Sequence, residues 1–190
     1  VPQNIGLATN RARNSDNSPE FLLGDAACLP IRDQSIEGCV SIDALVYLQD
    51  HESVFREISR ILTQGGVMVF SDLVAGEDLE PGERQSVAEF ANSWDMPPLI
   101  TMNEYRDAIN TAGLQLEFQT EISKHSIRQF RKWSRLFLWL IDSPLGWVLT
   151  GTLNRYNIDP DTIVGQIRRS HQALPSLRHV LCVIRLLQQD

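Results

Sequence analysis

Two aspartates stand directly behind short apolar runs: Asp25 after Phe21-Leu22-Leu23-Gly24, and Asp43 after Cys39-Val40-Ser41-Ile42. If those runs are strands of an open α/β sheet, both carboxylates sit at carboxyl ends of strands, where such sheets bind ligands. A carboxylate there accepts hydrogen bonds from an amino or ammonium group, and the backbone amide of Ala26 adds a donor. Tyr47 lies four residues beyond Asp43. A phenol, whose unperturbed pKa is about 10, is in general a poor base at neutral pH. It can still orient a nucleophile or face a cationic amine with its ring. Taken singly, Asp25 reads equally well as a turn residue, Asp43 as a helix N-cap and Tyr47 as a half-buried aromatic.

Other chemistries find less support. His51, His125, His171 and His179 pair with no other His or Cys at metal-ligand spacing, so no metal site is expected. The four are read as surface side chains, with His125 as the outside candidate for a base. Cys28, Cys39 and Cys182 form no CxxC and read as buried, reduced thiols of a cytoplasmic protein. The net charge of −7 argues against a surface that grips nucleic acid. No apolar run approaches the ~20 residues of a membrane span, and Val-Pro-Gln-Asn does not read as a signal peptide.

The elements that must position these groups alternate between short apolar runs and helical periodicity, which points to a parallel α/β sheet. Ile5, Ala8 and Ala12 share one face of a first helix that stops in the polar stretch 14–19. Phe21-Leu22-Leu23 and Cys39-Val40-Ser41-Ile42 read as strands. Asp50 caps a helix with the stripe Val54, Phe55, Ile58, Ile61 and Leu62, ended by Gly65-Gly66. Val67-Met68-Val69-Phe70 follows as a strand buried on both faces. A short helix is expected around Arg84 to Trp94, and Thr101-Met102-Asn103-Glu104 is a capping box opening another. Leu114, Leu116 and Phe118 alternate as an edge strand would, residues 124–174 are largely helical, and Val180 to Leu187 is apolar enough to be central.

Three segments, in order and spacing, carry a family resemblance. Gly24-Asp25-Ala26-Ala27-Cys28-Leu29-Pro30 matches "GDA-x-x-LP"; residues 41–50 are similar to "S-x-D-A-x-x-H-x-x-D"; residues 58–66 are close to "x-x-R-x-L-K-P-G-G". Asn103-Glu104-Tyr105 with Ala112-Gly113-Leu114 echoes a later "x-E-Y … A-G-F". Together they resemble the class I S-adenosylmethionine-dependent methyltransferase family, in its small-molecule, type 11-like branch. The resemblance covers about residues 2–122 and the last strand.

It implies a Rossmann-like α/β sheet of order 3-2-1-4-5-7-6, S-adenosylmethionine as cofactor and methyl transfer to a small, lipophilic or amine-bearing acceptor. Asp25 and Ala26 would hold the adenine, Asp43 would lie by the methionine part, Ser41 would also stand around the cofactor, and Tyr47 would face the acceptor. Tyr47 stands where phosphobase and glycine-type N-methyltransferases commonly carry His, so their substrates do not transfer with the resemblance.

Strands 1 and 2, the Gly-rich loop and the acidic residue ending strand 2 have no counterpart in residues 1–190. The chain is therefore expected to be one N-terminally incomplete domain that binds S-adenosylmethionine weakly or not at all by itself. Residues 74–100 and 123–176 would form lid or substrate-cap regions. Within the second, residues 124–141 combine Lys124, Arg128, Arg131, Lys132 and Arg135 with an apolar face of Ile127, Phe130, Phe137, Leu138 and Ile141. Such a helix can lie on an anionic membrane or cover a lipophilic substrate; the reading adopted is a cap helix with a solvated basic face. Two other functions compete. One is a non-catalytic methyltransferase-like binding module. The other, a nicotinamide oxidoreductase, would need a Gly-rich loop and a Tyr-x-x-x-Lys pair, and neither Tyr105 nor Tyr156 has Lys four residues on.

Overall fold

A computed structural model of the chain describes residues 2–12, 19–144 and 146–187. In chain order the elements are α1 (Pro2–Ala12), β1 (Ile36–Ile42), α2 (His51–Ile61), β2 (Leu62–Ala75), α3 (Pro81–Ser93), α4 (Met102–Thr111), β3 (Leu114–Glu121), α5 (Ile127–Ile141), α6 (Gly146–Arg155), α7 (Pro160–Ala173) and β4 (Leu177–Leu186). The sheet order is β1-β2-β4-β3. β1 and β2 are parallel, and β4 runs antiparallel to both β2 and β3. This is the 4-5-7-6 part of the expected class I sheet. The apolar final strand is central and the alternating strand from Leu114 is the edge, as their patterns require.

Local chemistry explains the elements. Asp50 accepts the Ser53 N–H at 2.9 Å and caps α2, whose Val54, Phe55, Ile58 and Ile61 are buried. Thr101 and Glu104 form the capping box of α4, and Glu80 with Glu83 forms another at α3, with Pro81 in its first turn. α2 and α4 cover one sheet face, where Phe55, Phe70 and Tyr105 meet with ring centroids 5.7 to 5.9 Å apart.

The first and third motifs dock on each other. The Leu29 N–H donates to Glu57 at 2.8 Å, and the Arg60 guanidinium donates to the carbonyls of Ile31 and Leu29 at 2.8 and 3.1 Å. Arg60 also pairs with Asp33 and Glu57, and its hydrogen bond holds the Glu57 carboxyl down to about 2. One arginine thus pins the chain entering β1 to the end of α2.

Three expectations change. Phe21-Leu22-Leu23 forms no strand and is exposed, because a strand needs a partner and no strand lies between it and β1 among the described residues. Among the described residues the inner edge of β1 is bare, as expected, and Val40 and Ile42 are 69% and 72% exposed. β2 is not buried on both faces: Met68, Phe70, Asp72 and Val74 are fully covered, while Val67, Val69, Ser71 and Leu73 are half-covered. α2 ends at Ile61 rather than at the glycines. Residues 63–66 instead loop out between the pairs Ile36–Leu62 and Gly38–Val67. Gly65 takes a left-handed φ of 74°, and a Cβ on Gly66 would meet the Thr63 carbonyl at 2.8 Å. The polar stretch after α1 falls mostly outside the described residues.

Helices α3, α5 and α7 form a layer at the carboxyl end of β2. Ala75, Val87, Phe90, Ile127, Ala173, Leu174 and Leu177 make a second apolar cluster beneath it. Cys182 is buried, whereas Cys39 is half-buried and Cys28 exposed, so the expectation of three buried thiols holds for one.

Candidate active site

β1 ends at Ile42, and Asp43 turns the chain with a φ of 49°. A non-glycine residue in the left-handed region costs roughly 1 kcal/mol and persists where its surroundings hold it. Here the Asp43 N–H donates to the Ser71 carbonyl at 2.9 Å, and the Ser71 hydroxyl donates to Asp43 Oδ1 at 2.9 Å. The same Oδ1 lies 2.9 Å from His179 Nε2, while Oδ2 has no partner among the described residues.

His179 enters from the start of β4. Because β4 is antiparallel, its first residues lie at the sheet end where β1 and β2 finish. A carboxylate only accepts, so Nε2 carries a proton, and in the neutral ring Nδ1 is then an acceptor. Nδ1 is 2.7 Å from Ser126 Oγ, so the serine hydroxyl donates to it. The His179 N–H donates to Ser123 Oγ at 2.9 Å, fixing the turn before α5. The result is a hydrogen-bonded chain, Ser126 to His179 to Asp43, of a kind that can move a proton.

This chain borders a cleft of about 440 Å³, within the usual range of small-molecule sites. Its walls are mainly apolar, from Leu73, Phe90, Trp94, Met96, Phe130 and Leu174, with Asp43, Ser126, Ser170 and His179 among its polar groups and Tyr47, half exposed, beside them. Trp94 is held by its indole N–H, which donates to Ser170 Oγ at 3.0 Å.

The five residues singled out from sequence do not all meet. Asp43 and Tyr47 line the cleft. Ser41 is half-buried one strand position before Ile42, paired with Phe70. Asp25 and Ala26 lie on a turn outside the cleft lining, where Asp25 Oδ1 accepts the Ala27 N–H at 3.0 Å. The histidine reading changes most. His51 is buried, donates from Nε2 to the Leu45 carbonyl at 3.0 Å and has its pKa pushed down by burial. His171 bonds Ser134 at 2.7 Å, and His179 joins the site. His125 is exposed and does not line the cleft. One signal for His179 was present in the sequence. If the last strand is antiparallel, its beginning must come level with Asp43. Among the described residues, no group of three or more His, Cys, Asp or Glu is placed to hold a metal.

Behind the cleft, Asp72 is fully buried in β2, accepting from the Tyr105 hydroxyl at 2.9 Å and the Leu73 N–H at 2.9 Å. Burial pushes its carboxyl from 3.8 up to about 6 and pushes the Tyr105 phenol up as well. The folded chain therefore keeps a proton between about pH 4 and 6 that the unfolded chain releases. Stability falls as pH rises through that window and stays low above it. Asp72→Asn removes the charge and keeps an oxygen to accept from the Leu73 N–H, its amide N–H donating to the Tyr105 oxygen in place of the reverse bond. It is expected to gain up to about 3 kcal/mol over wild type at pH 7.5 and far less at about pH 4.5, by urea unfolding. An equal difference at both pH values would show that Asp72 does not titrate there.

Comparison with known proteins adds three findings. A family model described as a methyltransferase domain matches residues 1–70. Methyltransferase GfsG of Streptomyces halstedii is 27% identical over 124 residues, 64% of this chain and 45% of that protein. A malonyl-[acyl-carrier protein] O-methyltransferase of Yersinia pestis is 31% identical over 117 residues, 59% and 44% of the two chains. The matched region thus spans less than half the length of these curated relatives. Among solved structures, geranyl diphosphate C-methyltransferase of Streptomyces coelicolor A3(2), in complex with Mg2+, geranyl diphosphate and S-adenosyl-L-homocysteine, superimposes with a TM-score of 0.69 at 15% identity, covering 97% of this chain and 62% of that one. At that identity the likeness shows the fold alone.

Proposed function

From a chain related in sequence and fold to the class I S-adenosylmethionine-dependent methyltransferases, we propose that the intact protein transfers a methyl group from S-adenosylmethionine to a small, largely apolar acceptor in the cytoplasm. The carrying observation is Asp43. It stands at the carboxyl end of a parallel strand with one oxygen committed to Ser71 and His179 and the other free at an apolar cleft.

The residues present fit that cofactor on one side. The free Oδ2 of Asp43 suits an ammonium group, Ser41 precedes it on the same strand, and Asp25 with Ala26 offers a carboxylate and an amide to an adenine. When bound, S-adenosylmethionine supplies an electrophilic methyl on a sulfonium, released as the carbon–sulfur bond breaks with its electron pair going to sulfur. The chain's own work is to align the acceptor, exclude water and take its proton. Residues 74–100 and 123–176 cap the cleft through Phe90, Trp94, Met96 and Phe130. An acceptor hydroxyl or ammonium donates to Ser126 Oγ, whose own proton passes to His179 Nδ1, and Asp43 stabilises the imidazolium. Tyr47, beside the polar groups of the cleft, orients the acceptor.

In the intact protein, Asp43→Ala is expected to weaken S-adenosylmethionine binding by roughly tenfold to a hundredfold in calorimetry, as loss of a charge-assisted hydrogen bond does. Wild-type affinity in the variant would remove Asp43 from the cofactor site. A second reading, a non-catalytic binding module, draws on the bare edge of β1 and the half-covered sheet face. Absence of cofactor binding by the intact wild-type protein would favour it.

A further inference from the structure

Helix α5 turns the apolar face read from its periodicity inward, with Ile127 buried, Phe137, Leu138 and Ile141 half-buried and Phe130 lining the cleft. Only Ile127 and Ser134 are buried, with Ser134 held by His171. The apolar side chains at its outer surface are Trp133 and Trp139, 63% and 66% exposed, with Leu136 between them. α6 packs on α5 and adds Trp147, 73% exposed, and Val148.

Beside this aromatic face lies a stripe of unmatched positive charge. Arg128, Arg131, Lys132 and Arg135 line one depression of about 220 Å³, and none has a carboxylate partner among the described residues. The Nε of Arg131 is buried without any hydrogen-bond partner. The acids nearby are spoken for, Asp142 by Arg168 and Glu121 by Arg178. From Ile127 to Arg155 there are five basic residues and one acid in a chain whose net charge is −7. Burial, then Arg131 and Arg135, hold the His171 pKa down, which agrees with charge left uncompensated on that side.

We propose that the outer face of α5 and α6 docks the protein on an anionic phospholipid surface, its cations against headgroup phosphates and its tryptophans in the interface. Interfacial helices combine these features: a basic flank, an aromatic face and insufficient length to cross. At 15 and 10 residues neither helix reaches the ~20 residues of a span. A second copy is a poor occupant, since an isologous contact would set the same cations against each other. The surface belongs to the layer that also carries Phe130 of the cleft, so docking would place the apolar cleft near a reservoir of apolar molecules. The docking itself does not depend on methyl transfer.

The test is sedimentation of the intact protein with vesicles of phosphatidylcholine alone or with about 30 mol% phosphatidylglycerol, read also by tryptophan fluorescence. Binding to the anionic vesicles only is expected, falling steeply in 0.5 M NaCl. Arg128→Gln, Lys132→Gln and Arg135→Gln together should weaken it roughly a hundredfold, given about fivefold per cation near such a surface. Trp133→Ser with Trp139→Ser should weaken it and reduce the blue shift on binding, Trp147 remaining on the face. Arg11→Gln, Arg32→Gln and Arg84→Gln, an equal loss of charge elsewhere, should leave it unchanged. Equal binding to neutral vesicles, no binding to anionic ones, or an unaffected α5 triple variant would overturn the proposal. So would binding of inorganic phosphate or RNA by the cluster without vesicle binding, or a dimer dispersed by the tryptophan changes.

Discussion

His179→Ala in the intact protein is expected to lower kcat for methyl transfer by about 10²- to 10⁴-fold, the usual contribution of a positioned acid or base. Its effect on the Kd for S-adenosylmethionine should stay within a few-fold. The split follows from geometry. His179 Nδ1 points to Ser126 at the cleft and Nε2 to Asp43 Oδ1, so removing the ring breaks the proton path but spares Asp43 Oδ2. Ser126→Ala should show a smaller loss in kcat, because water can take the hydroxyl's place between acceptor and imidazole. His179→Gln, whose amide can still donate to Asp43, should restore the turn at Asp43 but not the rate. Recovery of rate by His179→Gln would demote His179 from proton carrier to a prop for Asp43.

The largest effect on stability is expected from Phe55→Ala. Phe55 has no exposed surface and sits 5.9 Å from both Phe70 and Tyr105, centroid to centroid. Truncating it removes the contact between α2 and both β2 and α4. Phe→Ala changes in such cores cost about 3–5 kcal/mol, part lost transfer energy and part cavity. Domains have only about 5–15 kcal/mol to lose, so the variant should unfold at much lower urea. Trp139→Ala, at an exposed position, should shift stability by about 0.5 kcal/mol or less. A Phe55→Ala loss below about 1 kcal/mol would mean that α2 is not packed on the sheet as described.

Several elements were legible because their information is local. Asp50, Glu52 and the stripe from Val54 to Ile61 combine a cap, a dipole-matched acid and a 3.6-residue period, which together specify α2 wherever it packs. The almost continuously apolar run from Val180, broken only by Arg185, and the alternating one from Leu114 separate a central strand from an edge strand for the same reason. The segments around Asp25, Asp43 and Arg60 carried the resemblance, and the fold supplies its mechanics: Arg60 ties the first motif to the third through the carbonyls of Leu29 and Ile31.

What the sequence determined by itself was therefore the kind of each strong element, the class of fold and the presence of Asp43 and Tyr47 beside a strand end. Tertiary structure alone decided three things. Phe21-Leu22-Leu23 is not a strand, because strand formation is a property of pairs. Trp133 and Trp139 of α5 stay exposed, because periodicity defines the inner face of a helix without saying how much of its margin a neighbour covers. His179 belongs to the site, because its partner lies 136 residues away in the chain and only an antiparallel β4 brings the two within 2.9 Å.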